Sequence, residues 1–216
     1  KEKKIQVIED CAQSLGSNFK SKKLGTFGKI GCFSFFPTKN LGAIGDGGAI
    51  VVNDNRLYKK IKRFKQYGWD DNRKTIFFGI NSRIDEIQSS ILRIKLKKID
   101  YEIKKRNVIA KNYIKYLKIP EIILPAIREK SDHSFHLFVI MVKNRDRLKK
   151  FLNERKITTG IHYVTPIHKS KGYGDQKKLI HTENISKNIL SLPMFPSLTY
   201  KNQMKVIKCI KDFYNK

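Results

Sequence analysis

Three short apolar runs near the start of the chain constrain its fold more than any other feature. Ile5-Gln6-Val7-Ile8 stops at Glu9-Asp10, and Gly31-Cys32-Phe33-Ser34-Phe35-Phe36 is closed by Pro37. Ala49-Ile50-Val51-Val52 is entered through Gly45-Asp46-Gly47-Gly48 and left through Asn53-Asp54-Asn55. The runs are short, rich in β-branched and aromatic residues, and bounded by turn formers, so they read as strands. None alternates strictly, which predicts a sheet covered on both faces and places the chain in the α/β class.

Helical periodicity follows. Ile84, Ile87, Ile91 and Ile94 recur at three- and four-residue spacing, and Leu92, Leu96 and Ile99 broaden the stripe. The charged stretch from Lys95 to Lys118 continues as helix, carrying Ile103, Ile109, Tyr113 and Leu117, until Pro120 ends it. Division into residues 1–95 and 96–216 is expected at this helical region. The second part reads as a smaller α/β unit: a strand over His136–Val142, a helix over Arg145–Arg155, a strand over Ile161–Val164 and a terminal helix over Asn202–Tyr214. Neither a repeat nor a low-complexity segment is present.

The charge balance is extreme: 46 Lys and Arg against 19 Asp and Glu in 216 residues, a net of +27. Such a field attracts anions, and Lys59-Lys60-Ile61-Lys62-Arg63-Phe64-Lys65 could form a nucleic-acid patch. The basic residues are scattered, however, and mostly Lys in a chain also rich in Ile, as an A/T-rich coding sequence produces. Ile61 and Phe64 lie three apart, which suits an amphipathic helix with a solvated basic face. That reading is preferred to nucleic-acid binding, and an anionic substrate would profit from the same field. Cys11, Cys32 and Cys209 lack C-x-x-C spacing, so neither a disulfide framework nor a metal site is expected. No apolar run is long enough to span a bilayer, and the stretch after Lys1–Lys4 is too short for a signal peptide. A cytoplasmic protein is expected.

Asp10, Gln13 and Lys39 suggest a specific chemistry. Pyridoxal phosphate (PLP) acts as an electron sink when a carboxylate keeps its pyridine nitrogen protonated, and it needs a lysine at its aldehyde. Asp10 ends one predicted strand, at the carboxyl edge where open α/β sheets bind ligands. Lys39 follows another in Ser34-Phe35-Phe36-Pro37-Thr38-Lys39-Asn40. Singly, each residue has an ordinary alternative: a solvated lysine, an aspartate capping a turn, a surface glutamine, an incidental strand serine. The glycine-rich turn over 45–48 is by itself weak evidence for a phosphate site.

As a set, the motifs closely resemble the DegT/DnrJ/EryC1/StrS sugar aminotransferases, a fold-type I PLP family. The resemblance is carried by Glu9-Asp10-Cys11-Ala12-Gln13, by Phe33 through Gly42, by Gly45-Asp46-Gly47-Gly48-Ala49 and by Gly79 through Gln88. Gly160-Ile161-His162-Tyr163, Pro166-Ile167-His168 and Leu192-Pro193-Met194-Phe195-Pro196 extend it over almost the whole chain in the family's order. It implies an aspartate-aminotransferase-like α/β fold, a partial PLP-binding large domain over 1–95, and a connecting helix with a small C-terminal domain over 96–216. It also implies roles: Lys39 forming the internal aldimine and shuttling protons, Asp10 pairing with the pyridinium and Gln13 lying against the ring. Ser34 would bind the phosphate, and Asn81 would reach the phosphate of a neighbouring subunit's cofactor, making the protein a homodimer with shared sites.

The activity implied is transfer of an amino group from glutamate to a nucleotide-linked keto-sugar. Tyr67-Gly68-Trp69 ahead of Gly79-Ile80-Asn81-Ser82-Arg83 is most similar to members that aminate C3 of dTDP-3-keto-6-deoxyhexoses. C4-specific members, UDP-sugar members and non-catalytic regulators share much of the signature. Dehydrating relatives place histidine where this chain has Lys39. His162 and Tyr163 either line the sugar pocket or serve as packed core rings, and Val164 stands where the family has proline. The family's large domain begins well upstream of its aspartate motif. The chain is therefore expected to be a fragment that exposes apolar strand edges and binds PLP poorly alone.

Overall fold

The structure is a computed structural model describing residues 5–173 and 177–215, which leaves the charged Lys1–Lys4 outside it. Its elements, in chain order, are β1 (Ile8–Asp10), β2 (Asn18–Phe19), β3 (Lys22–Lys23), β4 (Ile30–Ser34), β5 (Gly48–Val52), α1 (Asn55–Phe64), α2 (Glu86–Leu96) and α3 (Ile99–Tyr116). They continue with β6 (Ile122–Ile123), β7 (Ser131–Asp132), β8 (Phe138–Val142), α4 (Arg145–Glu154), α5 (Ile180–Asn188), β9 (Ile189–Leu192) and α6 (Tyr200–Tyr214). The chain divides into two compact units, residues 1–103 with 128–134, and residues 104–127 with 135–216.

In the first unit β4 is central, parallel to β1 and antiparallel to β5. The first strand begins three residues later than its apolar run, because its partner β4 starts only at Ile30; Val7 is held outside the ladder by the Lys29 N–H, at 2.8 Å. The sheet is not covered on both faces by the described residues. Ile8, Ile50 and Val51 remain 64, 54 and 39 % exposed, so lack of alternation overstated the burial here. A second sheet, β3-β2-β7, brings Ser131 and Asp132 beside Asn18 and Phe19 although more than a hundred residues separate them.

The stripe on α2 is also rotated from the expected one. Ile87 and Ile94 are 71 and 63 % exposed, whereas Leu92 is buried with Leu41, Ala43, Ile99 and Ile103, and Ile84, before the helix, packs against them. Two polar side chains set this rotation: Gln88 Nε2 donates to the Asp46 carbonyl at 3.2 Å and Lys95 Nζ to the Gly42 carbonyl. Their line along the helix, with Leu92 between them, is the inward face. The long helix expected over 95–118 is broken at Lys97–Lys98, where the Lys98 N–H turns back to the Lys95 carbonyl at 3.0 Å.

The second unit holds the larger core. β8 lies between β6 and β9, antiparallel to both, and points Phe138, Ile140 and Val142 inward at alternate positions. Around them close Tyr113 of α3 and Leu117 just after it, Leu148 and Leu152 of α4, Leu190 of β9, and Ile207 and Ile210 of α6. Tyr113 is fully buried and donates its hydroxyl to the Pro193 carbonyl at 2.9 Å, and burial pushes its phenol well above the usual range. The strand expected over Ile161–Val164 is absent. Gly160 alone pairs with Ser191, and the chain then turns away before Pro166, which has no N–H to extend a ladder.

Replacing Leu148, fully buried in the core of the second unit, with Ala removes apolar contacts that the close-packed surroundings cannot recover. The substitution is expected to lower unfolding free energy by about 2–5 kcal/mol in urea denaturation.

Candidate active site

The parallel register of β1 and β4 builds the site. Asp10 pairs with Cys32, so Ser34 stands two residues further along the neighbouring strand and shares its face with Asp10. Ordinary strand spacing and rise separate the two Cα atoms by roughly 8 Å, a span that one small aromatic phosphate bridges. Asp10 Oδ1 accepts the Ala12 N–H at 3.0 Å, which shapes the turn that carries Gln13, itself exposed. Ser34 Oγ accepts the Phe36 N–H at 3.3 Å. Lys39, half-buried, lies in the turn leaving β4 with its N–H on the Phe36 carbonyl at 2.8 Å, and its ammonium has no hydrogen bond or ion pair among the described residues. Asp10, Gln13, Ser34 and Lys39 are thus gathered at the carboxyl edge of one parallel strand pair. An acid, a hydroxyl and an unpaired amine are the donor set that PLP requires, so the residues present fit this cofactor.

The glycine-rich turn serves packing. A Cβ on Gly48 would sit 2.7 Å from the Phe33 carbonyl oxygen, across the β4–β5 pair. The Gly47 carbonyl accepts the Phe35 N–H at 2.7 Å, and the Phe35 carbonyl accepts the Ala43 N–H, also at 2.7 Å. The loop bearing Lys39 is therefore closed at its base by backbone bonds.

Asn81 is exposed, in an isolated pairing with Gln66. Arg83 Nε donates to Asn81 Oδ1 at 2.8 Å, so the amide is left presenting its NH2 group. The Arg83 guanidinium also lies 5.8 Å from the ring centre of Tyr67, whose ring packs tilted against Trp69 at 4.9 Å. Gly68 makes this corner possible: its φ is +69°, and a Cβ would sit 1.8 Å from the Phe77 carbonyl oxygen.

In the second unit, His162 Nδ1 is 2.9 Å from the buried Ser191 hydroxyl, and its ring meets that of Tyr163 edge-on at 5.4 Å. Tyr163 is 68 % exposed, which excludes the packed-ring reading for it within the described residues. His168 Nε2 contacts Glu183 at 3.3 Å, and Lys169 and the Leu179 N–H bind the same carboxylate oxygen at 3.4 and 3.0 Å. Burial opposes the charge on Glu183, but these three partners outweigh it and hold its carboxyl below the ordinary range.

The model of the DegT/DnrJ/EryC1/StrS aminotransferase family matches residues 1–211. The chain belongs to this family. It is 39 % identical over 97 % of its length to the dTDP-3-amino-3,6-dideoxy-alpha-D-galactopyranose transaminase of Aneurinibacillus thermoaerophilus, covering 58 % of that protein. It is 36 % identical over 96 % of its length to the UDP-N-acetyl-3-dehydro-alpha-D-glucosamine 3-aminotransferase of Acidithiobacillus ferrooxidans, covering 57 %. Among solved structures, DesV of S. venezuelae in complex with a ketimine intermediate superposes with a TM-score of 0.94 at 33 % identity, over 98 % of this chain and 58 % of that one. NtdA of Bacillus subtilis with bound cofactor PMP gives a TM-score of 0.88 at 31 % identity, over the whole of this chain and 52 % of that one. The chain thus spans little more than half the length of these relatives. The fold is that of the family's aminotransferases.

Sequence reasoning passed over Glu9, which points to the opposite face from Asp10. Its carboxylate accepts the N–H groups of Gly25, Phe27 and Gly28 at 2.7, 2.6 and 2.6 Å. An acid beside Asp10 was visible in the sequence, but its partners belong to a loop with no local signal. Partial burial opposes the Glu9 charge, yet the three N–H bonds prevail and lower its pKa from the ordinary 4.5. A depressed carboxyl stabilises the fold above its unfolded value and loses that contribution as pH falls through the folded value. Glu9→Gln is expected to lower Tm at pH 7, with the gap from the parent protein closing as thermal scans move below pH 4.5.

Proposed function

We propose that the protein is a PLP-dependent sugar-nucleotide aminotransferase, with residues 1–103 and 128–134 holding the cofactor. The observation that carries this reading is the placement of Asp10 and Ser34 on one face of adjacent parallel strands, with the unpaired Lys39 amine in the turn leaving the second. When bound, the cofactor supplies the electron sink for amino-group transfer. Asp10 holds a proton at the ring nitrogen by favouring its cationic form. Ser34 Oγ would donate to the phosphate, and Gln13 would lie against the ring. Lys39 Nζ anchors the cofactor and afterwards carries the proton between reacting carbons.

The substrate reading is a nucleotide-linked keto-sugar with glutamate as amino donor, and dTDP-3-keto-6-deoxyhexose is the first candidate. The 39 % identity to a dTDP-3-amino sugar transaminase supports it. The relative named for a UDP-linked sugar, 36 % identical, keeps a UDP-sugar as the second reading. His162, with Nδ1 fixed by Ser191, offers Nε2 to a sugar hydroxyl, and the exposed Tyr163 ring offers its face. The net charge of +27 suits a substrate carrying a diphosphate. Asn81, its carbonyl oxygen held by Arg83, is proposed to offer its NH2 to the cofactor phosphate of a second subunit, making the enzyme a homodimer.

The test is the protein expressed from its native reading frame and supplied with PLP. It is expected to gain a visible absorbance band that borohydride abolishes, with the reduced pyridoxyl group recovered on Lys39. Lys39→Ala should lose the band and reduce turnover more than about 10²-fold. Absence of the band in the parent protein sinks the reading. Product analysis with dTDP- and UDP-linked keto-sugars decides between the two substrate classes.

A further inference from the structure

We propose that Asn40, Ser134 and Ser17 form a positioning tie that sets the Lys39 loop against the Asp10 turn. The inference rests on the reading of Lys39 and Asp10 as cofactor residues, and it concerns three side chains to which no role has been given. Ser134 is fully buried and comes from a segment 94 residues beyond Asn40. Its carbonyl accepts Asn40 Nδ2 at 3.0 Å, its N–H donates to Ser17 Oγ at 3.0 Å, and its hydroxyl donates to the Gln13 carbonyl at 3.4 Å. One distant residue thereby grips the residue next to Lys39 on one side and, on the other, the turn that begins at Asp10 and carries Gln13.

Burial makes these bonds consequential. Ser17 and Asn40 are 5 and 9 % exposed, so water replaces a lost partner poorly. Asn40 uses only half of its amide: Oδ1 is buried without a hydrogen-bond partner among the described residues. A residue needed merely to fill space would not leave a buried acceptor unmatched, since an apolar side chain would do so without that cost. What Asn40 contributes is the Nδ2 donor, aimed at one carbonyl. The carboxyl-edge register fixes Asp10 and Ser34 through the backbone, whereas Lys39 stands beyond the ladder, in a loop closed at its base by backbone bonds and tied at Asn40 by a side-chain bond.

Asn40→Asp replaces the donor with an acceptor facing the Ser134 carbonyl, and Ser17→Ala leaves the buried Ser134 N–H without its partner. Measured on the protein from its native reading frame, each is expected to weaken PLP binding about tenfold. Each should also shift the pH midpoint of the visible band, which reports the placement of Lys39 against the ring. Ser17→Thr, which keeps the hydroxyl, should restore both values. Asp54→Ala, which removes the N-cap of α1 elsewhere in the same unit, is the control: it should lower the apoprotein Tm while leaving the cofactor Kd and the midpoint unchanged. If Asn40→Asp does not fold, Ser17→Ala decides. Unchanged Kd and midpoint in the folded variants, or equal changes in Asp54→Ala, overturn the proposal while the function reading stands. A parent protein with no visible band removes both.

Discussion

The parallel pairing of β1 with β4 is the constraint on which the candidate site depends. Aligning Asp10 with Cys32 decides which side chains share a face, and a slip of one residue would send Asp10 to the other side of the sheet. The same register sends Glu9 to the opposite face, where three backbone N–H groups of the 25–28 loop converge on it. Two adjacent acids therefore have unrelated work. One is left open to a ligand at the carboxyl edge, and the other ties down a loop.

Around that edge, polar side chains are used to fix backbone more than to pair with one another. Gln88 and Lys95 reach carbonyls of the 42–46 segment, and Asn40 reaches the Ser134 carbonyl. The loop that carries Lys39 is not a regular element, so its carbonyls and N–H groups need partners from elsewhere. The second unit follows the same rule. The buried Arg106 guanidinium donates to the Phe135 and Met194 carbonyls at 3.0 Å each, joining the start of the β8 segment to the residues after β9. Glu183 draws His168, Lys169 and the Leu179 N–H onto one oxygen, and so anchors the turns that follow His162 and Tyr163.

Much of the fold was legible because it rests on local pattern. β8 alternates burial residue by residue, α6 carries Val206, Ile207 and Ile210 on one face, and Pro120 lies beyond the end of α3. The failures share a cause. Ile87 and Ile94 read as a core stripe, but Gln88 and Lys95 turn α2 the other way. Ile161–Val164 has strand composition, yet β9 pairs only with Gly160 before the chain leaves. Ile8, Ile50 and Val51 have the composition of a covered sheet and stand exposed. For α2 and for 161–164 the deciding partner is far away in sequence, and over the sheet no covering element stands among the described residues; periodicity carries no information on either.

The sequence alone determined the strand and helix types, the family motifs, and the order in which Asp10, Ser34 and Lys39 meet the ends of their strands, because these depend on side-chain spacing along a single element. Only the tertiary structure decided that Asp10 and Ser34 share a face, that Glu9 belongs to a different network, and that Ser134 joins the turn of one to the loop of Lys39. Hydrogen-bond partners brought together across a hundred residues depend on chain topology, and no local pattern encodes which carbonyl will be waiting.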